Sequence, residues 1–241
     1  MADLRGFLHC HTSYSDGALT VEALALACRD AGYDYVGLTD HSKAAAYAGG
    51  LSVDDLHRQW AEIDEVNARL GDVRILKGIE SDILGDGLLD YDDDTLAGFD
   101  FVIGSIHSRF AMSEAEMTAR VLRALDSPYL TILGHPTGRL LLSRDAYPLD
   151  LEQVFRRAAA NGVAIEINAD PHRLDLDWRV LRRARELGVM ISIGSDAHDR
   201  AGVGNMPFGV GIARKGGLTA DAVLNSRSAS DFLAFARARR P

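Results

Sequence analysis

The chain has 241 residues, 47% of them hydrophobic, and its 35 acidic residues outnumber its 26 basic residues, which gives a net charge of −9. This length fits one large domain or two small ones, and the acidic balance argues against broad binding to DNA or anionic membranes. No apolar run approaches the ~18 residues that a membrane span needs, and no signal peptide is recognisable. Cys10 and Cys28 fit a reducing compartment. We therefore expect a cytoplasmic protein with one domain over residues 1–241.

Short β-type runs alternate with longer amphipathic runs along the chain. Seven strand-then-helix units in this order predict a parallel sheet. An open, doubly wound sheet would fit this order, but a closed barrel explains better why ligand-type residues follow so many strands. The predicted elements are strand 4–8, helix 21–31, strand 35–39, helix 53–70, strands 74–79 and 101–106, helix 114–125, strand 130–133, helix 151–161, strand 164–167, helix 178–187, strand 190–193, and helices 221–225 and 230–239.

Six of the eight histidines stand where an apolar β-type run ends, and three acidic residues occupy similar positions. Because the carboxyl ends of barrel strands surround a single pocket, this pattern predicts a metal-binding cup. The residues are His9, His11, Asp16, His41, Glu80, His107, His135, Asp196 and His198.

Spacing supports several of these predictions separately. Residues i and i+2 of a strand face the same side, so His9 and His11 can hold one ion while Cys10 points away. A carboxylate at Glu80 would be buried, which is costly unless it is paired or bound to metal. Asp16 has the weakest support, because its surroundings indicate only a turn. Imidazole and carboxylate without thiolate suit Zn²⁺, Mn²⁺ or Fe²⁺, and nine ligands indicate two or three divalent ions.

Other polar residues are predicted to lie outside the cup. His57 falls in a helical run and is expected to be partly exposed, and His172 is expected in a solvated loop. Asp40 is expected to orient its neighbours without binding metal. An acidic run is predicted to be a solvated loop without chemistry; it contains Asp86, Asp90, Asp92, Asp93 and Asp94.

Seven short motifs, in this order, resemble those of the polymerase and histidinol phosphatase (PHP) family. They are His9-x-His11, Ser15-Asp16-Gly17, Thr39-Asp40-His41, Gly78-Ile79-Glu80, Ser105-Ile106-His107, Gly134-His135-Pro136 and Asp196-Ala197-His198.

This resemblance implies an α/β fold, a distorted (β/α)7 TIM-like barrel, with three metals at the carboxyl rim of its strands. It implies that Glu80 bridges the first two metals. By the same resemblance, the first metal is held by His9, His11, Glu80 and Asp196, the second by Glu80, His107 and His135, and the third by Asp16, His41 and His198.

A finer resemblance involves residues 134–141, 166–169, 173–179 and 213–216, which look like the carboxyl-terminal PHP domain of bacterial family X DNA polymerases. In that family the domain is a Mn²⁺-dependent 3′–5′ exonuclease. The sequence shows no polymerase or helix–hairpin–helix segment before Asp3. Either an excised domain or a free-standing relative with its own substrate is therefore compatible with the sequence.

The expected function is metal-dependent hydrolysis of phosphate mono- or diesters of a small molecule, with a hydroxide that bridges the metals as nucleophile. The net charge favours a small substrate over a polyanion. We expect Glu80, Asp196 and Arg139 to take part in catalysis. Arginine and lysine side chains are expected to bind the phosphoryl oxygens; the candidates are Arg139, Arg173, Arg109, Lys43 and Arg214.

Two alternatives remain at this stage. A 3′–5′ exonuclease that acts on single-stranded DNA ends would need a basic groove lined by Arg109, Arg139, Arg144, Arg173 and Arg214. A non-catalytic metal-bound module would support a partner protein, but the full set of ligands argues against it. We expect no membrane partner, and the oligomeric state is left open.

Overall fold

The computed structural model describes residues 1–241 and contains eight strands. Every hydrogen-bonded pair of neighbours is parallel, in the order β3-β2-β1-β8-β7-β6-β5-β4. The strands are β1 (Gly6–Cys10), β2 (Tyr35–Leu38), β3 (Arg74–Lys77), β4 (Glu80–Asp82), β5 (Ile103–Ser105), β6 (Ile132–Leu133), β7 (Ala164–Asn168) and β8 (Ile191–Ala197).

The two edge strands of this sheet, β3 and β4, are successive pieces of one segment. β3 pairs with β2 and β4 pairs with β5, so the chain changes partner between them, at Gly78 and Ile79. A Cβ atom at Gly78 would lie 2.5 Å from the Leu38 carbonyl oxygen, which explains the glycine there. The sheet therefore curls round on itself as a distorted TIM-like α/β barrel, as predicted. The single strand predicted over 74–79 is in fact divided and extends to Asp82.

Nine α-helices connect and cover the strands. They are α1 (Val21–Asp30), α2 (Val53–Arg69), α3 (Asp93–Ala97), α4 (Glu114–Leu125), α5 (Leu151–Asn161), α6 (Trp178–Glu186), α7 (Arg200–Val203), α8 (Met206–Lys215) and α9 (Ala229–Arg237). No helix is both long and apolar enough to cross a membrane.

Most helices begin where local sequence signals place them. Ser113 and Glu116 form a capping box at the start of α4, because each side chain bonds the other's backbone N–H. The acidic run was wrongly predicted to be loop throughout: Asp92 accepts a hydrogen bond from the Thr95 N–H and so caps the short helix α3. The helix predicted over 221–225 is instead two 3₁₀ turns, Ala220–Ala222 and Leu224–Ser226.

Helix α9 covers the end of the barrel at which the strands begin. Its Phe232 lies against Tyr35, the first residue of β2, with ring centroids 5.8 Å apart, and against Phe101, just before β5, at 5.2 Å. All three side chains are fully buried. This end of the barrel is therefore packed with apolar side chains, and the carboxyl ends of the strands are left to form a polar site.

Candidate metal centre

The nine predicted ligands converge at the carboxyl end of the barrel. Three groups each bring their ligand atoms within 4.8 Å of one another, and Glu80, His11 and His41 each belong to two of them. His135 joins the same cluster, because its Nε2 lies 2.9 Å from Glu80 Oε1. The groups are His9, His11, Glu80 and Asp196; His11, Asp16, His41 and His198; and His41, Glu80 and His107.

Three of these residues adopt a backbone conformation that is uncommon for non-glycine residues. The φ angles of His9, His135 and Asp196 are 66°, 20° and 54°. Such positions tend to cluster at functional sites, where surrounding contacts hold them. The register between β1 and β8 also shifts between Leu8 and Cys10. His9 and His11 therefore both reach the cluster through a distorted strand end, and the simple i, i+2 alternation does not describe how they do so.

Glu80 lies at the centre of the cluster and is almost fully buried. Its Oε1 is 3.2 Å from His9 Nε2 and 3.4 Å from His107 Nε2, and its Oε2 is 3.0 Å from His41 Nδ1. Burial alone would raise the pKa of Glu80, but the neighbouring imidazoles hold that pKa well below its usual value. An ionised carboxylate in this position can contact several cations at once.

Asp196 is held ionised in the same way. Burial would raise the pKa of its carboxyl group, but His9 and a hydrogen bond from His11 keep it well below its usual value. His11 Nε2 lies 3.0 Å from Asp196 Oδ1. For His11 itself, burial is the largest effect and lowers the imidazole pKa, which favours the neutral form that binds metal.

Buried polar atoms are nearly always hydrogen-bonded in folded proteins. Here several buried ligand atoms lie close to one another without the geometry of a hydrogen bond, among them His9 Nε2, His11 Nδ1, His41 Nδ1 and Glu80 Oε2. These atoms are concentrated round Glu80. Unpartnered nitrogen and oxygen atoms facing one another fit divalent cations of the Zn²⁺, Mn²⁺ or Fe²⁺ type.

Two carboxylates that hold ligand imidazoles were not predicted from the sequence. His9 Nδ1 donates to Glu166 Oε1 at 2.6 Å, and His107 Nδ1 donates to Asp82 Oδ1 at 2.5 Å. Such bonds fix the orientation of a metal-binding ring. Asp82 could have been found, because it stands two residues after Glu80 on the same strand. Glu166 could also have been found, because it is an acidic residue within the otherwise apolar run of β7.

Asp40 bonds the loop that carries Asp16 and does not orient the ring of His41. Its carboxylate accepts hydrogen bonds from the N–H and the hydroxyl of Thr12, each at 2.7 Å, and from Gln59 Nε2 at 2.5 Å. Ser15, next to Asp16, donates to the same carboxylate. The predicted positioning role is thus directed at the loop over residues 12–16.

Of the predicted substrate-binding cations, Arg173 reaches the cluster. Its Nε lies 3.6 Å from Asp196 Oδ2, and its side chain is 19% exposed. Arg139 was expected to act in catalysis and in substrate binding, but its guanidinium is engaged by a neighbouring loop. Its Nε, Nη1 and Nη2 donate to the Arg173 carbonyl, the Asp177 carboxylate and the Leu174 carbonyl, so it holds the loop that presents Arg173.

The other basic residues are more dispersed than the predicted groove requires. Arg214 lines an apolar cavity with Leu4 and Val223. Val223 pairs with Ile191, the first residue of β8, so this cavity lies at the opposite end of the barrel and the prediction for Arg214 is wrong. Arg144 donates to the Gly138 carbonyl and lies over the Phe110 ring.

Lys43 and Arg109 lie in loops at the carboxyl end, and both are exposed. Lys43 Nζ is 5.2 Å from the centre of the Tyr91 ring, and the Arg109 guanidinium packs against Gly85. Arg109 is two residues from His107, so it is a remaining candidate for contact with substrate. The two histidines predicted to lie outside the cup do so: His57 is exposed on α2, and the 83% exposed side chain of His172 bonds Asp170.

Tyr47 is a further residue at this end that the sequence did not reveal. It is 74% exposed, and its ring centroid lies 6.4 Å from that of His41. Partial burial and the carboxylates of Asp82 and Glu80 raise the pKa of Tyr47 to about 12. Its hydroxyl group therefore stays protonated beside the acidic cluster.

Known proteins are similar to this chain in sequence and in fold. The PHP domain family matches residues 8–170. The DNA polymerase/3′–5′ exonuclease PolX of Bacillus subtilis is 44% identical over 235 residues, and this match covers 98% of the chain but only 41% of that protein. A probable phosphatase of Thermoanaerobacter sp. (strain X514) is 30% identical over 229 residues, with 90% of the chain and 89% of that protein covered.

Among solved structures, the histidinol phosphate phosphatase of Lactococcus lactis superposes with a TM-score of 0.64 and 17% identity, over 89% of the chain and 94% of that protein. That protein was crystallised with zinc, L-histidinol and phosphate. At this identity the likeness concerns the fold. The family match, the two relatives and the buried cluster of imidazoles and carboxylates agree with one another. The chain therefore belongs to the PHP family of metal-dependent phosphoesterases.

Proposed function

We propose that this domain hydrolyses phosphate esters of a small molecule at a centre of two or three divalent metal ions. The observation that carries the proposal is the position of Glu80, whose two carboxylate oxygens face imidazoles from four different strand ends. One carboxylate so surrounded can bridge two cations. Bound cations of this kind supply Lewis-acid stabilisation and a hydroxide nucleophile at neutral pH.

The proposed assignment of ligands has three parts. His9, His11, Glu80 and Asp196 form a closed group that would hold a first ion. Glu80 also contacts His107 and His135, which would hold a second ion. A third ion would lie nearer solvent, because Asp16 and His198 are 35% and 40% exposed and group with His41.

The residues of the chain then have separable tasks. Glu80 and Asp196 remain ionised and offset the charge of the cations. Arg173 lies beside Asp196, where its guanidinium can donate to a phosphoryl oxygen. Tyr47 presents an exposed aromatic ring beside His41, where it could contact the organic part of an ester.

Several observations favour a small substrate. The Thermoanaerobacter relative is named a probable phosphatase, and the Lactococcus protein holds a small alcohol and phosphate. A DNA-binding groove would need Arg139, Arg144 and Arg214, but the first two are bonded to neighbouring loops and the third lies at the far end of the barrel. The arrangement of the arginines therefore fits the binding of one phosphoryl group better than the binding of a nucleic acid along a groove.

The test is a turnover panel on the chain loaded with Mn²⁺ or Zn²⁺. It compares p-nitrophenyl phosphate, bis-p-nitrophenyl phosphate, histidinol phosphate and 3′-ended single-stranded DNA at one salt concentration. We expect at least one small ester to be hydrolysed with a higher kcat/KM than DNA. Rapid degradation of DNA with slow turnover of every small ester would overturn the proposal.

A further inference from the structure

We infer that Glu166 is a positioning residue, which fixes the tautomer of His9 and ties it to the backbone of His135. This inference rests on the proposed metal centre and adds to it a group that binds no metal itself. Glu166 lies on β7, and its side chain is 1% exposed. Its two oxygens serve two ligands that come from different strands.

The contacts of the two oxygens are distinct. Oε1 lies 2.6 Å from His9 Nδ1, and Oε2 accepts a hydrogen bond from the His135 backbone N–H at 2.7 Å. His9 and His135 both have positive φ angles, so each is held where a strand leaves regular geometry. One buried carboxylate therefore joins both irregular positions.

The strand order shows which strand the Glu166 side chain must cross to contact His9. β7 lies between β6 and β8, so the loop after β6 is close, but β1 lies on the far side of β8. Glu166 reaches His9 across Gly194 of β8. A Cβ atom at Gly194 would lie 2.3 Å from Glu166 Oε1 and 2.7 Å from the His9 Cβ. The glycine leaves the space through which the carboxylate and the imidazole meet.

The chemistry of the contact determines where the His9 proton lies. An ionised carboxylate only accepts hydrogen bonds, so Nδ1 keeps its proton when His9 gives up the proton on its other nitrogen to bind a metal ion. The free lone pair is then on Nε2, which faces Glu80 Oε1 at 3.2 Å and Asp196 Oδ1 at 3.5 Å. This same Nε2 has no hydrogen-bond partner. Glu166 thus turns the metal-binding nitrogen of His9 toward the two carboxylates with which it would share an ion.

A purely structural role for Glu166 would have different consequences. Asp175 offers a matched comparison, because it is equally buried and accepts hydrogen bonds from the Thr137 N–H and hydroxyl at 3.0 and 2.8 Å. It has no contact with a proposed ligand side chain. Each substitution alters a buried carboxylate that accepts two hydrogen bonds, but only loss of the Glu166 carboxylate should change His9.

The experiment uses Glu166→Gln, with Asp175→Asn as its control. Glutamine has one acceptor oxygen, so it cannot place an acceptor at both positions that the two carboxylate oxygens occupy, one facing His9 Nδ1 and one facing the His135 N–H. If its oxygen stays on His135, its amide donates to His9 Nδ1, and the His9 proton moves to Nε2. Zinc titration should then show one ion bound about 10- to 100-fold more weakly. Asp175→Asn should keep the zinc affinities of the wild type.

The second readout is the tautomer of His9, measured by ¹⁵N NMR on the zinc-loaded wild-type protein. We expect a proton on Nδ1 and zinc on Nε2. This measurement needs no variant, so it tests which His9 nitrogen binds zinc even if the Glu166→Gln protein does not fold. Zinc bound through Nδ1, or an unchanged zinc affinity in a folded Glu166→Gln protein, would overturn the role of Glu166 alone. A wild-type chain that binds no zinc or manganese would overturn the metal centre as well.

Discussion

The carboxylate of Glu80 and the imidazole of His135 meet at 2.9 Å, although they come from β4 and from the loop after β6. Both side chains are almost fully removed from solvent. An unpaired charge is costly in such surroundings, so the negative charge of Glu80 must be compensated by positive charge nearby. Neighbouring imidazoles compensate the charge of Glu80 in the free chain, and bound cations would do so in the active enzyme.

Replacement of this central carboxylate should therefore abolish activity. We expect Glu80→Gln to lower kcat/KM for a phosphate ester by more than about 100-fold, since even changes outside the ligand set cost roughly 10- to 100-fold in related sites. The matched control is His57→Ala, which removes an exposed imidazole from α2. Steady-state kinetics should show the control near wild type. Equal losses of activity in both variants would show that the division into metal ligands and residues outside the site is wrong.

Removal of metal should lower thermal stability as well as activity. Asp16, Glu80 and Asp196 gather in one cluster, and ions that bind only the folded chain stabilise it by mass action. At a free metal concentration 100 times the Kd, one site contributes about 2.7 kcal/mol. Calorimetry before and after chelation should show a lower Tm, restored when Mn²⁺ or Zn²⁺ is added back. An unchanged Tm after verified chelation would contradict this.

Arg173 and Arg139 should differ in the kind of defect that their loss produces. Arg173→Ala should raise KM for a phosphate monoester with little loss of stability, because its guanidinium lies beside the cluster. Arg139→Ala should lower the free energy of unfolding by about 1.5–3 kcal/mol, the usual worth of a hydrogen bond from a charged group. Kinetics and urea unfolding on both variants separate the two effects. A stable Arg139→Ala protein with only a raised KM would restore the contact first predicted for Arg139.

The buried Asp175 should make stability depend on pH. Burial raises the pKa of its carboxyl group to about 6, against partial opposition from the hydrogen bonds of Thr137. The folded chain therefore holds this proton more tightly than the unfolded chain, and the resulting stability is present near pH 4 and lost as pH rises through 6.

The Asp175→Asn side chain would not titrate and can keep both bonds to Thr137. In the metal-free protein, the difference in the free energy of unfolding between Asp175→Asn and wild type should thus shift in favour of the variant between pH 4 and pH 7. The shift should be at most about 3 kcal/mol, at 1.36 kcal/mol per pKa unit. Urea unfolding across this range measures it, and a difference that stays constant with pH would contradict it.

Much of the site could be predicted because its residues are marked locally. His9, Glu80, His107 and Asp196 each stand where an apolar run stops, and parallel strands necessarily bring such ends to one face. The capping box at Ser113 and Glu116 was equally local. The third strand was predicted less well, because a change of hydrogen-bond partner at Gly78 depends on β2 and β5 and leaves little trace in the apolar pattern.

What the sequence determined by itself was the alternation of strands and helices, and with it a parallel sheet and the set of ligand-type residues at the ends of its strands. Periodicity and residue type are properties of short segments, so they can be read without the fold. The tertiary structure decided what those residues touch: that Glu166 reaches His9 across Gly194, that Arg139 holds a loop, and that Arg214 lies at the far end. These contacts join residues up to 157 positions apart, and no local pattern encodes a distance between such residues.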